Sequence, residues 1–344
     1  MGTAGDLASC LAREAEAVCR HYLSAGTRAG QYWVVGDTGN NKGRSLYVRL
    51  TGDRAGRWTD AATGQFGDLL DLIRESCGLI DFQDVADEAR RYLSLPPAER
   101  ETSSKTGPTN LPSPAPPSER ARRLFAMGQP IDGTLADRYL RQRGILDGAR
   151  YPALRFHPAC YYRDLATGQM TPLPALLAAV TDAVGQLTGL HRTWLDRDGL
   201  GKAKVATPRR AIGGLLANAV RLQFPVDGPV PVMTAGEGLE SVLSLAHVMP
   251  HMPMAAALSV NHLAALSLPP GTRRLYIAAD ADAAGRHGVD RLSRRAQALG
   301  ILPLVLAPEL GDYNEDLRQL GPERLTARLR DQLVSADAVA LLPL

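Results

Sequence analysis

The sequence predicts an α/β protein in parts. Residues 229–322 read as a doubly wound, mostly parallel sheet domain, 120–228 as an α+β domain, and 1–94 as a small α+β module. Three observations carry this. The C-terminal third alternates continuous apolar runs with segments of helical spacing, the mark of a parallel sheet covered on both faces. The stretch before it alternates strand-like runs with turns, as an α+β domain does. Residues 95–119 are rich in Pro, Ser and Thr and poor in large apolar side chains, so they cannot build a core and read as a linker.

In order, the N-terminal module opens with an amphipathic helix over roughly Leu7 to Ala25. Short strands follow in QYWVVG, SLYVRL and GRWTDA, separated by the turn signals GDTGNNKG and TGDRAG. GDLLDLIRESCG reads as a helix with Asp68 as its cap and Gly78 as its stop. After the linker, two short helices end at Gly144. PALLAAVTDAVGQLTGLHRTWLD reads as a hairpin with Trp194 in the core. PVPVMTA, MAAALS, RRLYIAAD and ILPLVLAP are then four apolar strands, with helices between them. Residues 323–344 form a C-terminal helix or tail.

At 344 residues with a net charge of +3, the chain holds several cores, and global charge alone points to no partner. Aromatics are 5%, so broad stacking surfaces are not expected. No apolar run reaches the length of a membrane span, and the N-terminus has no secretory signal. A cytoplasmic protein is expected. Cys10, Cys19, Cys77 and Cys160 form no CxxC, which argues against a disulfide framework or a zinc ribbon.

Ligands bind at the carboxyl ends of strands in an open parallel sheet. Glu237 follows the first strand of that sheet. Asp280 ends the third, Asp282 lies in the turn after it, and Asp312, Asn314 and Asp316 follow the fourth. A lone Asp after a strand is most often a helix cap. Several acids on one edge repel each other, and a cation resolves that conflict. Oxygen ligands without His or Cys suit Mg²⁺ or Mn²⁺.

TAGEGLESVLSL followed by YIAADADAAGR resembles the Toprim domain of bacterial primases, topoisomerases and some nucleases. That family carries a Glu after its first strand and an Asp-x-Asp after its third, matched here by Glu237, Asp280 and Asp282. LAPELGDYNEDL resembles the ending of a Toprim branch found in plasmid, phage and integrative-element proteins, with Glu315 inserted before Asp316. DRYLRQRGI, LRFHPACYYRD and AIGGLLANAVRL look like the primase-type domain that precedes Toprim in that branch, so the resemblance covers about Ala136 to Leu320.

The resemblance implies a DNA primase joining ribonucleotides on a single-stranded DNA template. Asp280 and Asp282 would hold Mg²⁺ or Mn²⁺, with Asp312 as a further ligand and Asn314 and Asp316 as less direct matches. Glu237 would be a metal ligand or general acid/base. RWTDAATGQFGDLLDLI is similar to the tail of a primase zinc ribbon, yet no Cys or His lies between Gln31 and Arg74. A ribbon-like module without zinc is therefore expected, contacting DNA through Lys42, Arg44, Arg54 and Arg57. No P-loop occurs, so any replicative helicase is expected as a separate chain.

Between Gln186 and Leu222 seven basic residues face two aspartates. Such a run is either a solvated face or a phosphate-binding wall. His191, Arg192, Lys202, Lys204 and Arg209 are the candidate nucleotide or DNA contacts. Two other readings stay open: a Toprim nuclease or nicking enzyme using the same carboxylates with water, and a DNA-binding replication accessory with a weak site.

Overall fold

The computed structural model describes residues 4–60, 65–77, 79, 82–95, 117–164, 167, 169–280 and 283–342. The chain divides into two compact units, Met1–Arg120 and Ala121–Leu344. Most of the linker and the helix stop expected at Gly78 lie outside the described residues.

The first unit begins with α1 (Ala4–Arg13) and α2 (Ala15–Tyr22). The sequence suggested one helix there, but Glu14 leaves helical geometry at φ −112° and ψ 28° and divides it. Five short strands follow: β1 (Thr27–Ala29), β2 (Tyr32–Val35), β3 (Leu46–Arg49), β4 (Trp58–Asp60) and β5 (Phe66–Gly67). They pair antiparallel in chain order. Helices α3 (Leu69–Cys77) and α4 (Phe82–Tyr92) close the unit. Asp68 caps α3, its Oδ1 accepting from the Leu70 and Asp71 amides at 3.0 and 3.3 Å. Leu11, Val18, Trp33, Val48, Trp58, Leu72 and Ile73 form one core. Both indoles are satisfied, Trp33 donating to the Leu23 carbonyl and Trp58 to that of Asp68.

Helix α5 (Pro117–Ala126) leads into α6 (Leu135–Gln142). Thr134 caps α6 and Gly144, at φ +75°, turns the chain beyond it. Strands β6 (Leu154–Arg163), β7 (Met170–Thr181), β8 (Leu187–Trp194) and β9 (Arg209–Gly213) form an antiparallel meander. The hairpin read from the sequence is β7–β8, and Trp194 is 1% exposed, donating its indole N–H to the Cys160 carbonyl.

The remaining elements are β10 (Val220–Leu222), β11 (Val232–Gly236), α7 (Leu239–Val248), β12 (Met254–Ala256), α8 (Val260–Ala265), β13 (Arg274–Ala278), α9 (Ala283–Ala298), β14 (Leu302–Leu306), α10 (Tyr313–Leu320), α11 (Pro322–Gln332) and α12 (Ser335–Leu341). Their sheet runs β10-β12-β11-β13-β14. Four strands are parallel, and β10 joins the edge antiparallel to β12. In β11, β12 and β13 every residue but the first of β11 and β13 is buried, which is why these strands read as unbroken apolar runs. Leu154, Phe156 and Leu176 of the meander share one core with Val242 and Leu245 of α7 and Tyr276 of β13. Asp337 of α12 anchors the opening of β13, accepting from Arg274 Nε at 2.8 Å and from the Tyr276 hydroxyl at 2.7 Å.

Candidate active site at the strand ends

Gly236, Ala278 and Leu306 stand in one register row, so β11, β13 and β14 end at a common level. Glu237 is the next residue after β11, and Asp280 lies two past β13. Gly236 has a packing reason: a Cβ there would meet Val242 Cγ2 at 2.8 Å and press α7 off the sheet. The Glu237 carbonyl accepts from the Leu258 amide at 2.8 Å. Leu258 holds φ at +75°, a left-handed conformation that bulky residues rarely adopt, so a strained residue fixes the backbone at Glu237.

Asp312 caps α10, its Oδ1 accepting from the Glu315 amide at 2.7 Å. The next side chain, Tyr313, is fully buried and its hydroxyl has no hydrogen-bond partner among the described residues. Burial pushes the Tyr313 phenol up, and the Asp316 and Asp280 carboxylates push it further, which places Asp280 within electrostatic reach of the start of α10. Asn314 is tied inward: Arg143 Nη1 donates to its Oδ1 at 3.0 Å, and its Nδ2 donates to the Arg143 carbonyl and Ser244 Oγ. Asp316, fully buried, accepts from the Glu309 and Leu310 amides at 2.7 and 2.8 Å and closes the loop before α10. Asp282 lies outside the described residues. Among those described, no three His, Cys, Asp or Glu side chains gather as a ready metal cluster.

The basic candidates sort by environment. Lys204 and Arg209 are exposed. Arg192 runs inward, its guanidinium 4.9 Å from the Trp194 ring centre and its Nη2 donating to the Ala211 carbonyl. His191 is buried; burial, reinforced by the charge of Arg209, pushes its imidazole down to about 3, so it is neutral near pH 7. Its Nδ1 is enclosed without a hydrogen-bond partner among the described residues. Lys202 extends its ammonium to Glu240 Oε1 at 2.8 Å, and the Tyr139 hydroxyl donates to the same oxygen at 2.7 Å. Burial opposes charge on Glu240, but the positive Lys202 and Arg209 and the two hydrogen bonds outweigh it and hold its carboxyl well below the usual range.

Sequence reasoning passed over Glu240, Tyr139 and Arg143. Glu240 sits in the first turn of α7, where an acid is ordinarily explained by the helix dipole alone. Tyr139 is 101 positions away in sequence and nothing in its spacing signals the pairing. Arg143 stacks on the Tyr139 ring at 4.9 Å and bonds Asn314, so one network joins α6, α7, α10 and the loop after β8. A separate groove of about 830 Å³ is lined by Thr134, Arg138, Arg141, Phe156 and Arg197, and by none of the strand-end carboxylates.

Residues 232–323 match the Toprim domain family, and residues 115–222 match a domain of unknown function, DUF7146. Comparison with curated proteins finds no match. Among solved structures, the chain is similar to the zinc-binding and RNA polymerase domains of the Aquifex aeolicus primase, at 16% identity and a TM-score of 0.43, over 97% of this chain and 86% of that one. It is similar to a DnaG primase catalytic domain bound to single-stranded DNA, at 16% identity and a TM-score of 0.46, over 63% of this chain and 81% of the other. It is also similar to the E. coli primase catalytic core, at 14% identity and a TM-score of 0.43, over 65% and 82% of the two chains.

Proposed function

We propose that this chain, whose residues 232–323 are a Toprim domain, is a DNA primase of a plasmid, phage or integrative element, making short RNA on single-stranded DNA. The observation that carries the reading is the register row: Glu237 and Asp280 leave adjacent parallel strands at one level, in a domain packed directly on an α+β domain with a basic segment. The donor chemistry at this edge is carboxylate oxygen, which fits Mg²⁺ or Mn²⁺. Asp280 and Asp282 are the proposed ligands, with Asp312 as a further one through the oxygen that does not cap α10. Such an ion, when bound, offsets the charge that develops on a transferred phosphoryl group.

The chain's own groups do the rest. A ribose 3′-hydroxyl attacks the α-phosphorus of a ribonucleoside triphosphate; the new P–O bond forms as the bond to the β-phosphate oxygen breaks and pyrophosphate leaves. Glu237 takes the hydroxyl proton. Lys204 and Arg209, exposed on the wall built by the meander, meet the phosphates. Lys202 and His191 stand behind them: Lys202 neutralises Glu240 and so fixes the first turn of α7, which carries Glu237 just ahead of it.

The test is synthesis. The protein is incubated with labelled ribonucleotides, single-stranded template and Mg²⁺ or Mn²⁺, beside a labelled DNA substrate. Short RNA is expected from the parent, with a loss of ~100-fold or more in Asp280→Ala and Glu237→Ala while thermal unfolding is little changed. Cleaved DNA without RNA makes the same carboxylates a nuclease site. Neither product, with DNA binding intact, leaves an accessory protein.

A further inference from the structure

The groove beside α6 stands apart from the carboxylate edge, and the chemistry proposed there does not use it. Its volume, about 830 Å³, is that of a site that encloses a small ligand or a short stretch of peptide. The base is apolar: Phe156, 6% exposed, and the half-buried Leu135. Pro158 of β6 and Pro172 and Pro174 of β7 line one side. The last two are two residues apart, so they stand on one face of their strand.

Three arginines rim the groove, Arg138 and Arg141 from α6 and Arg197 from the loop after β8, and all three are exposed. Two of them are held by one edge. Arg138 Nη1 donates to the Asp198 carbonyl at 3.2 Å, and Arg141 Nε donates to both carboxylate oxygens of Asp137 at 3.0 Å. Their other guanidinium nitrogens, and all those of Arg197, have no partner among the described residues. Asp137 is the acid of the lining, and its charge is already taken: buried, it accepts from the Gly133 amide as well as from Arg141. The groove therefore presents net positive charge, with guanidinium forks oriented to receive carboxylates in pairs of bonds.

A nucleic-acid strand would use this charge poorly. Prolines have no N–H to give a phosphate oxygen, and Phe156, the aromatic ring of the lining, is buried and offers no face for a base. An extended peptide fits both halves of the groove. An apolar side chain packs on Phe156 and the prolines, and flanking carboxylates meet the arginines.

We propose that this groove docks an acidic segment of a partner protein, an extended peptide with an apolar side chain set between Asp or Glu residues. The docking needs neither template nor metal, and it stands whether the carboxylate edge makes RNA or cuts DNA.

The test selects random ~12-residue peptides, displayed on phage, against the full chain in EDTA, and measures the enriched ones as fluorescent synthetic peptides by anisotropy. Enriched sequences are expected to combine at least two Asp or Glu with an apolar residue, and to lose binding when the acids become amides. Arg138→Ala/Arg197→Ala should weaken binding ~10-fold or more, and Arg138→Lys/Arg197→Lys by less. Arg294→Ala/Arg318→Ala, which removes two exposed arginines elsewhere, should leave it unchanged. Cooperative unfolding of each variant shows whether it is folded. Selection that enriches no acidic peptides, or acidic peptides that bind the parent and Arg138→Ala/Arg197→Ala alike, overturns the proposal. A (dT)12 strand that displaces the peptide, and itself binds that variant ~10-fold more weakly, makes the groove a nucleic-acid channel and overturns it too. Asp280→Ala should leave peptide binding unchanged, and Arg138→Ala/Arg197→Ala should leave RNA synthesis on naked template unchanged, so a failure at the carboxylate edge is separable from a failure here.

Discussion

The β1–β5 sheet packs one face on a core and leaves Tyr32, Tyr47 and Phe66 exposed on the other, whereas the central strands of the β10–β14 sheet are buried along nearly their whole length. With its faces covered, the second sheet meets solutes where its strands stop, and its charged groups gather there. The first sheet offers side chains in the middle of its strands, and those are aromatic. Where a sheet is covered therefore decides whether its chemistry sits at ends or on a face, and each decision has a measurable cost.

The sharpest way to break this contrast is at the buried charge pair. Lys202→Met leaves Glu240 buried with Tyr139 as its remaining close donor, and urea unfolding should show a loss of roughly 4 kcal/mol. Adding Glu240→Leu should restore most of that stability. RNA synthesis that stays low in the folded double variant would assign Lys202 a contact with nucleotide as well; synthesis restored with stability would make its role purely positional.

The faces give the next largest effect. Ile277→Ala, in the middle of a strand with no exposed surface, should cost roughly 3 kcal/mol. Tyr47→Ala, on the open face, should cost less than ~1 kcal/mol. Equal losses in chemical denaturation would mean that the aromatic face is structural after all.

The same contrast explains what was legible beforehand. Covered parallel strands read directly as PVPVMTA, MAAALS, RRLYIAAD and ILPLVLAP, and the carboxylates at their ends followed from the strand order. β10 was not legible as part of that sheet, because its three residues pair with β12 across the intervening β11 and α7. Glu240 was hidden by an ordinary explanation, and its partners Tyr139 and Lys202 lie on other elements. The open face was missed for a different reason: in QYWVVG and SLYVRL the outward Tyr32 and Tyr47 sit beside inward Trp33 and Val48, and composition alone does not separate them. Scarce aromatics argued against widespread stacking surfaces, yet three of them share one face.

His191, buried on β8 of the meander, tests a third sheet through pH. Its folded value, about 3, lies below the value of ~6.5 for an exposed imidazole. The unfolded chain therefore binds a proton that the folded chain refuses, so this contribution is intact above pH 6.5 and is lost as pH falls toward 3. The parent should lose ~1.4 kcal/mol per pH unit in that window relative to His191→Gln. Arg209, Lys202 and Arg192 oppose protonation and Glu240 favours it, so parallel slopes in parent and variant would mean that Glu240 dominates.

Asp312 gives the smallest effect and separates two roles that the strand end combines. As a cap it satisfies the Glu315 amide, so Asp312→Ala should cost ~1 kcal/mol, while Asp312→Ser, which caps about as well, should unfold like the parent. A serine hydroxyl is a far weaker ligand for a divalent cation than a carboxylate. If Asp312 also supplies an oxygen to the ion, the Mg²⁺ or Mn²⁺ concentration needed for half-maximal RNA synthesis should rise in both variants alike, regardless of stability. If Asp312 only caps α10, Asp312→Ser should match the parent in both measurements, and the ion would rest on Asp280 and its sequence neighbour Asp282. The two titration curves therefore decide whether the third strand end belongs to the chemistry or only to the helix that begins there.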